Sequence, residues 1–165
     1  MRWRECKRRR MMILICIGII VSVFTADLII KNKVEESKNL PRTAGRGLFV
    51  LKRYHNKGAM LNLGEKKPKL VAILSVVLSV LALGILIFSF GSHGNNLLRI
   101  GLSLLLGGAF SNTYDRLRRK YVVDYLSFSV KYKSLAGVVY NISDFCIMIG
   151  ALLGCIGWLN CGKGI

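Results

Sequence analysis

Long apolar runs dominate this chain and limit the folds that are open to it. Four such runs occupy residues 11–30, 70–90, 97–114 and 135–159 of a sequence that is 53% hydrophobic. A helix needs about 20 residues to cross the ~30 Å apolar core of a bilayer. The runs therefore predict an all-α integral membrane protein with four transmembrane helices, organised as a single membrane domain over residues 1–165.

Two polar segments, at about 31–69 and 115–134, separate the runs on one side of the predicted membrane. In the first, LFVLKRY at 48–54 has the composition of a strand, and HNKG at 55–58 is typical of a turn. AMLNL at 59–63 predicts a second short strand. We expect a small β-structure here, lying on the membrane surface.

The strong positive charge indicates a lipid partner rather than nucleic acid. The net charge is +17, but no nucleic-acid motif accompanies it and the charges flank the apolar runs. Anionic lipid headgroups attract such flanking charges. Charge does not settle orientation, because the basic N-terminus and the basic polar segments would both favour the cytoplasm.

Two further interpretations receive little support. The first run follows a basic segment, as in a signal peptide, but it is long for the apolar part of a cleaved leader. The five cysteines have no metal-ligand or disulfide spacing, and the two histidines, His55 and His93, fall in polar segments.

Polar side chains, whose burial in a membrane costs free energy, occur where three of the apolar runs reach the same membrane face. With four alternating spans, the end of the first, the end of the third and the start of the fourth lie on one side. Polar residues at membrane depth are functional candidates. These three places carry Asp27, Lys31, Asn112, Asp115, Arg116, Asn141 and Asp144.

Spacing groups some of these residues. Asp27 and Lys31 are four apart and can pair on one side of a helix. Asp115 with Arg116 is compatible with a structural ion-pair network. Asp144 lies some seven to nine residues inside the predicted fourth helix, about 10–14 Å deep at ~1.5 Å per residue, so we expect it to face a polar cavity.

Two carboxylates that meet in a poorly hydrated site support acid–base chemistry. Close like charges do not both ionise easily, so such a pair holds a proton. The ionised member can take a proton from water while the protonated member polarises a carbonyl. The spacing alone does not place Asp124, an ordinary loop aspartate by itself, beside Asp144.

Four stretches resemble the motifs of bacterial lipoprotein signal peptidases, the type II signal peptidases. They are DLIIK at 27–31, HNKGAMLNL at 55–63, GGAFSNTYDRLRRKYVVDY at 107–125 and YNISDFCIMIGALLG at 140–154. The four follow the family's order, each at the expected helix end, so the resemblance covers nearly the whole chain.

The resemblance implies roles for individual residues. Asp124 and Asp144 correspond to the family's catalytic pair, which uses no metal or cofactor. The supporting and substrate-binding positions correspond to Asn112, Asp115, Arg116, Asn141, Asn56, Gly58, Asp27 and Lys31.

The resemblance also implies a function and a place in the cell. An aspartic endopeptidase of this family removes signal peptides from prolipoproteins by cleaving before a diacylglyceryl-modified cysteine. We expect a monomer in the bacterial cell membrane, with a β-cradle outside, both termini in the cytoplasm, and prolipoproteins and membrane lipids as partners.

Several residues depart from the family pattern, and two other functions stay open. Ser111 stands where Gly is usual, Tyr125 where Phe is usual and Ser143 where Ala is usual, while Lys120 and Tyr121 occupy a stretch where a Gly is common. The alternatives are a non-catalytic relative that binds lipidated peptides and a small proton-coupled transporter.

Overall fold

The computed structural model describes residues 2–45, 47–59, 63–91, 95–128 and 138–161. Within these residues it contains four helices and four strands. In chain order they are α1 Arg2–Glu36, β1 Arg42–Ala44, β2 Phe49–Asn56, α2 Pro68–Ser89, α3 Asn96–Arg118, β3 Val122–Phe128, β4 Val139–Tyr140 and α4 Ile142–Cys161.

Three of the described helices, α1, α2 and α4, are long and apolar enough to cross a membrane. Their outer faces leave large apolar side chains uncovered, such as Leu14 at 69%, Phe88 at 79% and Trp158 at 67% exposure. Continuous apolar surface of this kind is favoured in lipid and costly in water. The coarse prediction of a mainly helical membrane protein is therefore confirmed.

Helix α3 is the central helix, and it packs against α1, α2 and α4. It begins at an N-cap, Asn95, whose side chain accepts the amide of Leu97 at 2.9 Å. Its neighbours cover polar groups that lipid would not tolerate. At Gly108, α3 approaches the first turn of α4 so closely that an added Cβ would lie 2.5 Å from the Ser143 carbonyl oxygen.

The four strands form one antiparallel sheet in the order β1-β2-β3-β4. Leu51 pairs with Leu126, but Tyr54 pairs with Asp124, so β2 contains one extra residue between these pairs. Such a bulge bends a strand and changes where its partner's side chains point. The irregularity lies directly beside Asp124.

The boundaries of two predicted segments are wrong. The segment 115–134 is not all loop, because α3 continues to Arg118 and Val122–Phe128 forms β3. The fourth helix does not include Val139–Tyr140, which form β4, and it begins at Ile142. β-branched and aromatic residues before Asn141 favour a strand, and Asn141 itself favours a helix start.

The first polar segment matches its prediction only in part. The predicted strand at 48–54 is confirmed by β2, but the predicted turn is wrong at His55 and Asn56, which continue that strand. β2 pairs with β1, a strand that was not predicted. The other predicted strand includes residues 60–62, which lie outside the described residues, as does His93.

Candidate active site

Two carboxylates from different elements meet where the sheet covers the helix ends. Asp124 lies on β3, and Asp144 lies in the first turn of α4. The Asn141 side chain donates to Asp124 Oδ1 at 2.7 Å, and the Asn141 backbone amide donates to Asp144 Oδ2 at 3.0 Å. One residue therefore holds both, and we call Asp124 and Asp144 the carboxylate pair.

The start of α4 explains how Asn141 reaches both carboxylates. Asn141 Oδ1 accepts the backbone amide of Asp144 at 2.9 Å, which is the contact of a helix N-cap. Because the Asp144 carboxylate bonds back to the Asn141 amide, the two residues form a reciprocal capping box. The predicted depth of Asp144 is wrong, since the helix begins only at Ile142.

Asn112, on α3, connects the carboxylate pair to the interior of the protein. Its Nδ2 donates to Asp144 Oδ1 at 2.9 Å. Its Oδ1 accepts from Asn141 Nδ2 at 3.2 Å and from Lys31 Nζ at 2.8 Å. Every polar atom of the Asn112 side chain therefore has a partner, which orients the amide in one direction.

Asp124 is held from the sheet side as well. Asn56 Nδ2, on β2, donates to Asp124 Oδ2 at 3.0 Å. Asp124 is only 2% exposed. Burial, and after it the neighbouring Asp144 charge, raises the pKa of Asp124 to about 7. Near neutral pH this carboxyl is therefore poised between its protonated and ionised forms.

Arg116, on α3, fixes the turn that follows β2. Its Nη2 donates to the Gly58 carbonyl oxygen at 3.1 Å, and the Gly58 amide donates to Asn56 Oδ1 at 2.9 Å. Arg116 also interacts electrostatically with both members of the carboxylate pair. It therefore holds Asn56 in place and brings positive charge to the site.

A second layer of charge lies beneath the carboxylate pair. Lys31 Nζ is 2.7 Å from Asp27 Oδ2 and 3.1 Å from Asp115 Oδ2, with all three side chains fully buried. We call these three residues the buried charge cluster. The predicted pairing of Asp27 with Lys31 is confirmed. Asp115 takes Arg119 as its other cation, at 3.3 Å, while Arg116 points to Gly58.

Three hydroxyl groups surround Asp27. Ser111 Oγ and Ser143 Oγ donate to its Oδ2 at 2.6 and 2.5 Å, and the Tyr125 hydroxyl donates to its Oδ1 at 3.0 Å. These three residues depart from the family pattern, and their sequence positions predict no contact with Asp27. In the sequence, each of these residues is visible only as a hydroxyl group among apolar neighbours. That pattern does not identify the residue to which the hydroxyl bonds.

The charges in the described part of the site almost cancel. Four carboxylates meet three cations, one of which, Arg119, also lies 4.0 Å from Glu35, so at least one excess negative charge remains. One proton shared by the carboxylate pair would balance it, because buried charge is stable only when it is compensated. The groups are Asp27, Asp115, Asp124 and Asp144 with Lys31, Arg116 and Arg119.

Among the described residues, no group of three or more His, Cys, Asp or Glu side chains is arranged to hold a metal ion. His55 Nε2 lies 2.9 Å from Glu35 Oε1, and the imidazole stacks on Tyr121 with ring centroids 4.1 Å apart. These contacts attach the sheet to the end of α1.

All ten sequence-predicted site residues belong either to the carboxylate pair and its neighbours or to the buried charge cluster. Asn112, Asn141, Asn56, Gly58 and Arg116 surround the carboxylate pair, directly or through one neighbour. The other three predicted residues form the buried charge cluster.

Exposed apolar helices around a polar, carboxylate-bearing end define a multi-pass membrane protein. Two solved structures, each described as a bacterial membrane enzyme structure obtained by the in meso method, share the fold. One has a TM-score of 0.72 at 22% identity and covers 88% of this chain and 87% of that chain. The other has a TM-score of 0.69 at 21% identity and covers 87% and 92%.

A family model described as signal peptidase (SPase) II matches residues 19–160. The lipoprotein signal peptidase of Caldicellulosiruptor bescii is 33% identical over 82% of this chain and 84% of its own length. That of Halothermothrix orenii is 32% identical over 76% and 79%. The chain therefore belongs to the signal peptidase II family, and the predicted class of enzyme, a peptidase, is confirmed.

Proposed function

We propose that this protein is an aspartic endopeptidase that cleaves prolipoproteins before a diacylglyceryl-modified cysteine, with Asp124 and Asp144 as its catalytic residues. The observation that carries the proposal is the bridge through Asn141, which donates to Asp124 Oδ1 and to Asp144 Oδ2. Family membership supports the reaction class.

The two carboxyl groups have surroundings that suit different protonation states. The pKa of Asp124, raised to about 7 mainly by burial, favours a proton there. Each carboxyl accepts two donors, Asp124 from Asn56 and Asn141 and Asp144 from Asn112 and the Asn141 amide, so hydrogen bonds do not distinguish them. Asp124 is fully buried whereas Asp144 is only half-buried, so the ionised form is less costly at Asp144. We assign Asp144 as the base and Asp124 as the acid in the first step.

The reaction then follows the chemistry of a carboxylate pair that shares one proton. Asp144 takes a proton from a water molecule, whose oxygen bonds to the scissile carbonyl carbon as Asp124 gives its proton to the carbonyl oxygen. When the carbon–nitrogen bond breaks, Asp144 passes its proton to the leaving nitrogen. A hydroxyl proton of the intermediate returns to Asp124, and the pair again holds one proton.

We also propose four spans in the bacterial cell membrane, with the sheet outside and both termini in the cytoplasm. At ~1.5 Å per residue α3 is about 34 Å long, which is enough to span the membrane. Its polar residues do not prevent this, because α1, α2 and α4 surround it. We propose a monomer that contacts membrane lipids directly, since one chain supplies both members of the carboxylate pair.

The decisive experiment is cleavage of a diacylglyceryl-modified prolipoprotein by the purified protein in detergent. We expect Asp124→Asn and Asp144→Asn each to lower turnover at least a hundredfold, since Asn keeps the shape but does not accept the proton of water. The double variant should be little worse than either single one, because the pair acts as a unit. Binding of the lipidated substrate is measured in parallel.

Glu36→Gln is the matched control, since it removes an exposed carboxylate at the end of α1 and should keep wild-type turnover. Either single variant retaining a tenth of wild-type turnover would refute the catalytic assignment. A wild-type protein that binds the lipidated substrate without cutting it would instead be a non-catalytic relative.

Orientation is tested with single cysteines in an otherwise cysteine-free chain. A membrane-impermeant maleimide added to intact cells should label Lys38→Cys, which follows α1 on the sheet side, and should spare the native exposed Cys6. The reverse pattern would place the sheet in the cytoplasm.

A further inference from the structure

The Tyr125 hydroxyl occupies a special position, where the sheet ends and α4 begins. It donates to Asp27 Oδ1 at 3.0 Å and lies 3.0 Å from the backbone nitrogen of Ile142. Ile142 is the first residue of α4, where amides have no partner within the helix. Tyr125 therefore joins the buried charge cluster to the helix that carries Asp144.

The direction of each bond is fixed by chemistry. A tyrosine hydroxyl has one proton, and an ionised carboxylate such as Asp27 only accepts, so the proton points to Asp27. The tyrosine oxygen is then free to accept the Ile142 amide. Burial, and after it the Asp27 charge, raises the pKa of Tyr125, so the hydroxyl keeps its proton over the working pH range.

Two consecutive residues of β3 hold two consecutive residues at the start of α4. Backbone pairing of β3 with β4 ends at Leu126 and Tyr140. Beyond that pair, side-chain hydrogen bonds connect the two segments in place of backbone pairing. Asp124 accepts from Asn141 at 2.7 Å, and Tyr125 accepts from Ile142 at 3.0 Å. The junction is thus fixed at two adjacent points.

The anchor behind Tyr125 is rigid. Asp27 is fully buried, pairs with Lys31 at 2.7 Å and accepts Ser111 and Ser143 hydroxyls at 2.6 and 2.5 Å. A group bonded to Asp27 therefore has little freedom to move. Tyr125 passes that constraint to Ile142, which is adjacent to Asn141, the residue that bridges the carboxylate pair.

We propose that Tyr125 is a positioning residue for Asp144, which sets where α4 begins and thereby the place of the Asn141–Asp144 capping box. The catalytic part of this inference rests on the proposed function. The structural part is independent of it, because the hydrogen bond of the Ile142 amide can be observed without a substrate.

The test is Tyr125→Phe, which removes only the hydroxyl and keeps the buried ring. In detergent, we expect faster hydrogen exchange of backbone amides in the segment 139–147, at Ile142 above all. In the cleavage assay we expect kcat to fall about tenfold with KM changed less than about twofold, because small errors in placing a catalytic group affect the chemical step.

Ser111→Ala is the matched control. It also removes one hydroxyl from Asp27, but it does so on α3 and leaves the Ile142 amide paired. We expect it to lower the melting temperature by an amount similar to Tyr125→Phe, without faster exchange in the segment 139–147. A purely structural role for Tyr125 would give the two variants the same exchange pattern.

The outcomes separate the two proposals. If exchange in the segment 139–147 is unchanged in Tyr125→Phe, or rises equally in Ser111→Ala, the positioning inference is wrong while the cleavage mechanism stands. If exchange rises but kcat does not fall, Tyr125 does not position Asp144 for reaction. A wild-type protein without cleavage overturns the proposed function, and the exchange result alone then decides whether Tyr125 fixes the start of α4.

Discussion

The two ends of the helix bundle differ in which kind of contact predominates between the helices. At the sheet end, buried charges and amides from different elements bond to one another, as Lys31 of α1 does with Asp115 of α3. Toward the other end, α3 and α4 touch backbone to backbone. A Cβ added to Gly150 would lie 2.5 Å from the Leu105 nitrogen, and one added to Gly157 would lie 2.5 Å from the Leu98 nitrogen.

The difference follows from what lipid does to helix association. Burying apolar surface drives helices together only weakly when the solvent is itself apolar, so close packing of small residues and polar bonds replace it. Glycine contacts bring two helices close but carry no chemistry. Charge contacts fix specific atoms. They predominate at the sheet end, where chemistry is proposed, although Gly108 also lets α3 approach α4 closely there.

The largest expected effect is at the sheet end, with Lys31→Met. Removing this cation leaves the Asp27 and Asp115 carboxylates, both fully buried, without their shared partner. Breaking a buried pair from one side costs about 3–5 kcal/mol. The measurement is thermal unfolding in detergent, with the exposed Lys33→Met on the same helix as the control, expected within about 0.5 kcal/mol of wild type. A loss below about 1 kcal/mol would contradict a structural role for the cluster.

A second expectation is that stability at the sheet end depends on pH. The pKa of Asp124 rises from 3.8 to about 7 on folding, chiefly by burial, so the folded state binds a proton more tightly than the unfolded state. The resulting contribution to the free energy of unfolding is complete below about pH 4. It is lost as pH rises through 7, and the total loss is up to about 4 kcal/mol.

Melting temperatures between pH 4.5 and 8 test this expectation. Asp124→Asn removes the titrating group, so its melting temperature should fall less over this range than that of the wild type. Effects of detergent and of titrating groups that do not interact with Asp124 cancel in the difference. Parallel curves for the two proteins would mean that Asp124 does not titrate in this range.

At the glycine end, Gly150→Ala should cost about 1–3 kcal/mol at every pH, because its Cβ would meet backbone that has to move. Gly154→Ala, four residues later on α4, is the matched control. An added Cβ there meets nothing within 4 Å, so Ala should be neutral or slightly stabilising. Equal melting temperatures for the two variants would show that α3 and α4 do not need this close approach.

The smallest effect is expected just after α3, where the chain turns toward β3. Lys120 has φ 72, a left-handed conformation that side chains disfavour. Lys120→Gly should therefore stabilise the protein by about 0.5–1 kcal/mol, whereas Arg118→Gly, at the last residue of the helix, should destabilise it by at most a similar amount. A lower melting temperature for Lys120→Gly would indicate that its Nζ bond to the Leu117 oxygen matters more than the strain.

The features that the sequence determined by itself are local. The apolar runs located the helices, and the four-residue spacing of Asp27 and Lys31 predicted their pairing, because a helix places such residues on one face. Motif resemblance indicated the other candidate site residues. Local reasoning failed where strand and helix compete, as at Val139–Tyr140 and at the start of α4.

Only the tertiary structure decided which of these residues meet. Asn141 bridges Asp124 and Asp144, and Tyr125 connects Asp27 to Ile142, although Asp27 and Ile142 belong to the first and last helices. Such contacts depend on the register of the sheet and on how closely glycines let the helices approach. Both are properties of packing between distant segments, and neither is carried by the local pattern of any one segment.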